Sequence, residues 1–396
     1  MIPKPNSSLS LAALVVILAG APGLRAQRTV EGDLIRKADR FGFPPPIAVH
    51  IAGYSAEGTR ILQHDLLFMG FTNTVENEAK FIIRGSDGPD RVEGRVIEKI
   101  NGNQVLGKAF TGNNKRALVH ALADEIAGVI TGLPGIAQTK IAFRVDNGPG
   151  RTEIHMADYD GYNAQAVTRD NALTTAPCWA GKDMVFYASY KLGNPRIYYH
   201  QLSTGKRGSL TPYNGSNISP AVSPDGKKMA MILSKGGSPD LYVADASGQN
   251  LKRLTTTREE ESSPCWSPDS QTILFVSRTR GPARLFTIPA TGGTMKPIVT
   301  RQVPNATEPD WSPDGKWIAF TALFRDFQIC LVPATGGDAV VLVAGEDPSW
   351  ARNSRALIFC HGPDHGKKLS LLDVPTKQIK DIARISLSNS QPSWAR

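Results

Sequence analysis

The sequence contains little cysteine, no long hydrophobic run and none of the short motifs of common hydrolases. Only four cysteines occur among 396 residues, and no Cys-x-x-Cys or Cys/His pattern suggests a zinc site. No Gly-x-Ser-x-Gly motif is present, so the nucleophile elbow of an α/β-hydrolase is excluded. After Ala21, no segment is long and apolar enough to span a bilayer. The chain is therefore not expected to be a serine hydrolase or a protein with membrane-spanning helices after this point.

One short apolar run, Leu9–Ala21, lies near the N-terminus behind Lys4. Its length fits the core of a secretory signal peptide, and Ala26 provides a small residue at a cleavage site. We therefore predict that residues 1–26 are a signal peptide and that the mature chain works outside the cytoplasm. Residues 27–139 are neutral, so the positive charge of the mature chain comes from residues 140–396. An exported chain is not expected to bind nucleic acid, and this charge is most simply a solvated surface.

The four cysteines do not suggest a disulfide, although an oxidising compartment permits one. Cys178 and Cys265 occupy the same position of an internal repeat two units apart, which places them too far apart to bond. Cys330 and Cys360 also fall in predicted strands where a small apolar residue is expected. All four are predicted to be free, buried thiols.

The dominant feature of the sequence is a repeat of 39 to 45 residues. Most units begin with a Pro-x-Trp anchor and continue through a Ser-Pro-Asp-Gly type of turn into a short apolar run, as in Glu308–Phe320. The anchoring prolines are Pro177, Pro220, Pro264, Pro309, Pro348 and Pro392. A fixed period of this size indicates a solenoid or a propeller.

Each unit favours three or four short antiparallel strands. Pro and Gly preset the tight turn in Ser-Pro-Asp-Gly, and the apolar run after it is rich in residues that favour strands. No segment beyond residue 140 has convincing helical periodicity. Units of this length match propeller blades, and the anchor tryptophans are predicted to pack between neighbouring blades.

The repeats add up to six blades over residues 140–396. The first apolar strand, at Ile141, has no anchor before it, and the last anchor, at Pro392, has no strand after it. The C-terminal segment would therefore supply the strand that the first blade lacks. Such a closure joins the ring and removes an open sheet edge.

Residues 27–139 do not repeat, and they predict a small α/β domain. The predicted elements are strands at Pro44–Tyr54 and Ala79–Gly85, a hairpin turned by Asn-Gly at Asp90–Phe110, and helices at Glu57–Phe71 and Asn113–Gly132. In the second helix the predicted apolar stripe consists of Leu118, Leu122, Ile126 and Val129.

The order of these parts resembles the TolB family, the periplasmic propeller proteins of the Tol–Pal cell-envelope system. The resemblance rests on the signal, the α/β domain, the six blades and the stretch MADYDGYNAQAVTRD at Met156–Asp170. It implies a mostly β fold, a six-bladed propeller preceded by a small α/β domain. It also implies a monomeric, non-enzymatic periplasmic adaptor without a cofactor, which supports envelope integrity and outer-membrane constriction at division.

The resemblance further implies a partner, a peptidoglycan-associated lipoprotein (Pal), bound at the mouth of the propeller channel. The positions that match the family's binding loops are Ser216, Asn217, Ile218, Ser219, Glu261, Ser262 and Ser263, and repeat equivalence adds Thr307, Glu308, Glu346 and Asp347. These residues come just before the anchor prolines, and we expect them to form an acidic rim. A TolA-like inner-membrane protein would bind the N-terminal tail, although the segment Gln27–Phe43 departs from the family's tail.

Two alternatives remain open in the sequence. An exported propeller can bind or cleave a glycan or small ligand in its channel, but the six residues before each anchor proline contain no aromatic side chain on which a sugar could stack. His361, Asp364 and His365 could ligate a metal, and Asp158–Gly161 resembles a calcium loop. A loop after a strand and a repeat turn explain these two stretches more simply, so no metal is predicted.

Overall fold

The computed structural model describes residues 42–279, 281–303, 305–385 and 387–396. The predicted signal peptide and nearly all of the segment Gln27–Phe43 lie outside the described residues. The chain forms a small α/β domain followed by six four-stranded sheets. The predicted fold class, a six-bladed propeller behind a small α/β domain, is therefore confirmed.

The N-terminal domain is a five-stranded mixed sheet with two helices packed against it. Its elements are β1 (Ile47–Ala52), α1 (Ala56–Leu67), β2 (Phe71–Asn73), β3 (Phe81–Asp87), β4 (Arg91–Glu98), β5 (Gln104–Thr111) and α2 (Lys115–Thr131). The strand order is β2-β1-β3-β4-β5, and β1 runs parallel to both of its neighbours. Ser55 and Asn114 cap the helix N-termini through their side chains, and Gly132 ends α2 in the left-handed conformation.

Two details of the predicted helices are wrong. The first helix ends at Leu67 rather than Phe71, because Gly70 turns the chain at φ +92° and Phe71 begins β2. In α2, Val129 is 46% exposed. The buried face of α2 instead contains Val119, His120, Leu122, Ala123, Ile126 and Ala127. The stripe therefore follows the 3.6-residue period from Val119, one position away from the predicted start.

The first three blades use the strands that follow the N-terminal domain. They are β6 (Lys140–Asp146), β7 (Thr152–Asp158) and β8 (Gln165–Ala166) in blade one, β9 (Thr174–Ala180), β10 (Met184–Ser189), β11 (Arg196–Gln201) and β12 (Arg207–Ser209) in blade two, and β13 (Asn217–Val222), β14 (Lys228–Leu233), β15 (Asp240–Asp245) and β16 (Lys252–Arg253) in blade three. In blades two and three the first strand is innermost and successive strands pair outward.

The remaining blades repeat this order, with one addition. Their strands are β17 (Glu261–Trp266), β18 (Thr272–Ser277), β19 (Arg284–Pro289) and β20 (Lys296–Pro297) in blade four, β22 (Ala306–Trp311), β23 (Trp317–Leu323), β24 (Phe327–Pro333) and β26 (Val340–Ala344) in blade five, and β27 (Glu346–Trp350), β28 (Ala356–His361), β29 (Lys368–Asp373) and β30 (Gln378–Asp381) in blade six. The addition is a short parallel pair, β21 (Thr300–Arg301) with β25 (Gly337–Asp338). It ties the connection after blade four to blade five.

The last strand, β31 (Ser388–Trp394), pairs antiparallel with β6, so the sheet of blade one has the order β31-β6-β7-β8. Ser388 lies opposite Asp146, and Trp394 lies opposite Ile141. The chain end therefore provides the innermost strand of the first blade. The four cysteines form no disulfide with one another, as predicted; Cys330 and Cys360 are buried, whereas Cys178 and Cys265 are partly exposed.

Three anchor tryptophans bind neighbouring blades in the same way. The indole N–H of Trp179 donates to the carbonyl of Ser393, that of Trp266 to Ala221, and that of Trp350 to Asp310. In every case the acceptor is the middle residue of the preceding blade's anchor tripeptide. The indole therefore packs between blades and also satisfies its N–H there, which confirms the predicted structural role for these three residues.

Candidate functional site

The residue before each anchor proline has the same unusual backbone conformation in all six blades. We call these six residues the pre-proline ring: Ala176, Ser219, Ser263, Glu308, Asp347 and Gln391, with φ between +48° and +56°. None is glycine, and the innermost strand shifts register at this point in every blade. The following proline cannot donate to the sheet, so the strand bulges there and turns the ring residue out of the ladder.

The pre-proline ring lines a central channel of about 600 Å³. The six anchor prolines also line it, and the wall below them includes Cys178, Ala221, Cys265, Asp310, Ser349 and Ser393. Trp179, Trp266 and Trp394 reach this wall, but each is at most 8% exposed because it packs between blades. The channel therefore offers small polar groups and proline rings, with little exposed aromatic surface on which a sugar ring could stack.

Hydrogen bonds connect successive members of the ring on one side of the channel. Glu308 Oε2 accepts the backbone N–H of Asp347 at 3.3 Å, and Asp347 Oδ2 accepts that of Gln391 at 2.9 Å. Gln391 Oε1 in turn accepts the N–H of Ala176 at 2.9 Å. On the other side the ring side chains are a methyl group and two hydroxymethyl groups, and the described residues form no such bond there. The mouth therefore has a connected half that contains both ring carboxylates and an open half with small side chains.

Both carboxylates of the connected half lie close together in a poorly solvated place. Burial, and after it the negative charge of Asp347, raises the pKa of Glu308 to about 8. Among the described residues, neither Glu308 nor Asp347 has a cation within ion-pair distance. Glu346, the residue before Asp347, forms an ion pair with Lys367. Asp310, in the channel wall, forms an ion pair with Arg396.

Ten of the eleven predicted site residues lie in the innermost strands rather than in the connections before them. The exception, Ser216, precedes β13; the others are Asn217, Ile218 and Ser219 in β13, Glu261, Ser262 and Ser263 in β17, Thr307 and Glu308 in β22, and Glu346 and Asp347 in β27. The strand pairing continues on both sides of the bulge, so the innermost strands begin earlier in the chain than the sequence pattern predicted. Of the predicted residues, Ser219, Ser263, Glu308 and Asp347 meet at the channel wall.

The predicted acidic rim requires a correction at Glu261. Its side chain is 2% exposed, and Oε1 accepts hydrogen bonds from the hydroxyls of Thr257 and Ser277 at 2.6 and 3.2 Å. Asn217, at the equivalent position of blade three, is also buried and donates to three backbone carbonyls. The first residue of these strands therefore points into the blade, and only the third residue reaches the channel.

The sequence prediction missed two members of the ring, Ala176 and Gln391. Their signal was already present, because each stands directly before an anchor proline. Extending the repeat equivalence to all six anchors would have included both. Lys367 pairs with Glu346, the residue before Asp347, and Arg396 pairs with Asp310 in the channel wall. Neither cation had a comparable signal, because their partners come from other parts of the chain.

The N-terminal domain packs against the end of the propeller that lies opposite the pre-proline ring. Asn353, in the turn after β27, donates to the carbonyl of Phe68, and Arg352 in the same turn donates to the carbonyl of Gly135. Tyr159, directly after β7, donates its hydroxyl to the buried carboxylate of Asp65. All residues that line the channel come from the propeller. Within the described part of the chain, the N-terminal domain therefore contributes no residue to the channel wall, and its contacts lie at the end away from the ring.

The two stretches that could hold a metal form ordinary contacts instead. Nε2 of His361 lies 2.9 Å from the Ser370 hydroxyl and 3.2 Å from Asp381, and the side chain of His365 is 95% exposed. Asp158 pairs with Lys140, and Asp160 pairs with Arg116. Over the described part of the chain, no group of three or more His, Cys, Asp or Glu side chains is placed to hold a metal ion.

The fold and the channel define a class of protein, a six-bladed propeller joined to a small α/β domain. Residues 128–396 match the family described as TolB beta propeller domain, and the chain belongs to this family. Two curated relatives are named Tol-Pal system protein TolB. One, from Desulfosudis oleivorans, is 32% identical over 163 residues, which cover 39% of this chain and 37% of the relative. The other, from Francisella tularensis subsp. mediasiatica, is 40% identical over 129 residues, covering 31% and 29%.

The aligned part thus spans about a third of the length of these curated relatives. A solved structure, that of TolB from Acinetobacter baumannii, extends the similarity of the fold to nearly the whole chain. It superimposes with a TM-score of 0.77 at 22% identity and covers 89% of this chain and 97% of that one. In the described residues, no helix has both the length and the apolar character that a membrane crossing requires.

Proposed function

We propose that this chain is an exported, non-enzymatic adaptor of a Tol–Pal-like system, and that the mouth of its channel binds a peptidoglycan-associated lipoprotein in the periplasm. The observation that carries the proposal is the pre-proline ring, a set of six residues, one from each blade, that line the channel. Membership of the TolB propeller family and the names of the curated relatives support the choice of partner. Through this contact the chain would support envelope integrity and outer-membrane constriction at division.

The shape of the mouth favours a protein partner over a sugar. The open half of the ring presents Ala176, Ser219 and Ser263, whose short side chains leave room for an inserted loop. The connected half presents Glu308 and Asp347 as acceptors. Affinity would come from the part of the partner that is buried in the mouth, whereas charges around it would mainly steer the encounter.

The direct test is calorimetric titration of residues 27–396 with the soluble domain of Pal from the same cell. We expect a dissociation constant of about 1 μM or lower, which corresponds to about −8 kcal/mol. No detectable heat at several temperatures would contradict the proposal.

A matched pair of variants locates the contact. Ser263→Arg fills the open half of the ring, and we expect it to weaken binding at least about tenfold, which is roughly 1.4 kcal/mol. Ser247→Arg makes the same chemical change at an exposed turn after β15, on the opposite end of the propeller, and should leave binding unchanged. Equal effects of the two variants would place the partner elsewhere. Circular dichroism of both variants shows that the fold is retained.

A further inference from the structure

Within the described ranges, no cation lies within ion-pair distance of the carboxyl groups of Glu308 and Asp347. Glu308 Oε2 lies 3.3 Å from the backbone nitrogen of Asp347 in the next blade, and both residues line the channel. The same nitrogen also donates to the hydroxyl of Thr321 at 3.0 Å. None of these contacts supplies a positive charge.

The polar and charged groups next to Glu308 and Asp347 already have partners of their own or contact Asp347. On β27, Glu346 forms an ion pair with Lys367. On β28, the thiol of Cys360 lies 3.4 Å from Asp347 Oδ2, and on β31 the N–H of Gln391 donates to the same oxygen. Further along β22, Asp310 pairs with Arg396. Lys367 and Arg396 therefore pair with other carboxylates.

Two adjacent carboxyl groups without a cation are most stable when one of them keeps its proton. The raised pKa of Glu308, about 8 through burial and the charge of Asp347, agrees with this geometry. A carboxyl group with this pKa keeps its proton at neutral pH, so Glu308 is neutral in the free chain. A proton is thus present at the place where we propose that a partner binds.

We propose that partner binding at the channel mouth is linked to the release of this proton, because a cationic side chain of the partner, lysine or arginine, takes its place between Glu308 and Asp347. The O–H bond of the neutral carboxyl breaks, the proton passes to the solvent, and both carboxylates then face the incoming cation. This inference rests on the proposed function, and it adds the chemical nature of the group that enters the mouth. It also predicts the sign of the pH dependence: the affinity rises as the pH approaches 8.

Calorimetry at pH 7.0 in buffers with different heats of ionisation counts the protons that are released. The titrated molecules are residues 27–396 and the soluble domain of Pal. We expect release of about 0.5 to 1 proton per binding event, and an affinity that rises by up to roughly tenfold per pH unit between pH 6 and 8. Glu308→Gln should reduce the proton release to near zero. Glu125→Gln is the control: it removes a half-exposed carboxyl on α2 that pairs with Lys108 and does not line the channel, and it should release the same number of protons as the unmodified chain.

The possible results separate this inference from the proposed function. Absence of binding at every pH contradicts the proposed function itself. Binding without proton release, or with proton uptake, is consistent with the proposed function. It contradicts the inference that a cation replaces the proton. Release that persists in Glu308→Gln would also overturn it, because the proton would then come from another group.

Discussion

The backbone N–H of Gln391 donates to Asp347 Oδ2 over 2.9 Å, and this bond joins blade six to the strand that closes blade one. The two residues are 44 positions apart, one repeat of the sequence. Both are in the left-handed conformation, at φ +56° and +50°. The bond therefore depends on two bulges, and the side chain of one ring residue satisfies the backbone of the next.

Removing the acceptor tests this link between blades. Asp347→Ala leaves the N–H of Gln391 without its partner in a partly buried site, so we expect the free energy of unfolding to fall by about 1–2 kcal/mol. Asp347→Asn keeps an acceptor oxygen at the same place and should cost less than half as much. Urea unfolding followed by tryptophan fluorescence measures both. Equal losses for the two variants would show that the bond contributes little to closure of the ring.

The left-handed backbone of the pre-proline ring predicts a specific response to substitution at Ala176, where φ is +51°. Ala176→Gly should be close to neutral, because relief of about 1 kcal/mol of backbone strain is offset by the larger entropy of the unfolded chain. Ala176→Val should lose about 1–3 kcal/mol, since a branched side chain fits this conformation poorly. Thermal unfolding compares the variants.

The matched control for this position is Ala109→Val in β5, which makes the same change at an exposed residue of an extended strand. Valine is favoured there, so stability should be unchanged or slightly higher. A similar loss at both positions would mean that the volume of the side chain, rather than the backbone conformation, decides the effect.

The repeat made most of the fold predictable. The period, the turns and the apolar runs together predict the number of blades. The first strand has no anchor before it and the last anchor has no strand after it, which predicts that β31 pairs with β6. The bulge before each proline was not predictable in the same way. The pattern showed that proline interrupts the ladder, but it did not show that the strand continues on both sides of the interruption. The predicted site residues were therefore placed in connections instead of strands.

The same bulge explains why the side chains of Glu261 and Glu308 lie in different environments. Glu261 stands three residues before its anchor proline and is buried, whereas Glu308 stands directly before its proline and lines the channel. Side chains alternate along a strand, and the bulge shifts that alternation by one. Distance from the proline, counted residue by residue, decides which side chain reaches the channel. The short pair of β21 and β25 had no sequence signal, since each strand has only two residues.

Glu261 predicts a pH dependence of stability. Burial raises its pKa to about 7, and its second carboxyl oxygen has no hydrogen-bond partner among the described residues. The folded chain therefore binds this proton more tightly than the unfolded chain does. Its contribution to stability is fully present below the ordinary value near pH 4.5, and it is lost as the pH rises through 7. The free energy of unfolding should thus fall between pH 5 and 8.

Glu261→Gln isolates this contribution, because an amide resembles the neutral acid and does not titrate. We expect the variant to lose less stability than the unmodified chain between pH 5 and 8, by on the order of 2 kcal/mol. Urea unfolding at several pH values measures the difference. Parallel pH profiles for the two chains would show that Glu261 is already ionised in the folded state at neutral pH.

The contact between the N-terminal domain and blade one depends on a buried hydroxyl. Tyr159 and Asp65 are both fully buried, and the phenol donates to the carboxylate, whose other oxygen lies 2.7 Å from Nδ1 of His120. Tyr159→Phe removes a hydrogen bond from a buried carboxylate, so we expect a loss of about 1–3 kcal/mol in the free energy of unfolding. Tyr187 provides the control, since it is equally buried but its hydroxyl has no hydrogen-bond partner among the described residues. Tyr187→Phe should be neutral or stabilising, and similar losses in both variants would show that the bond to Asp65 does not hold the two parts together.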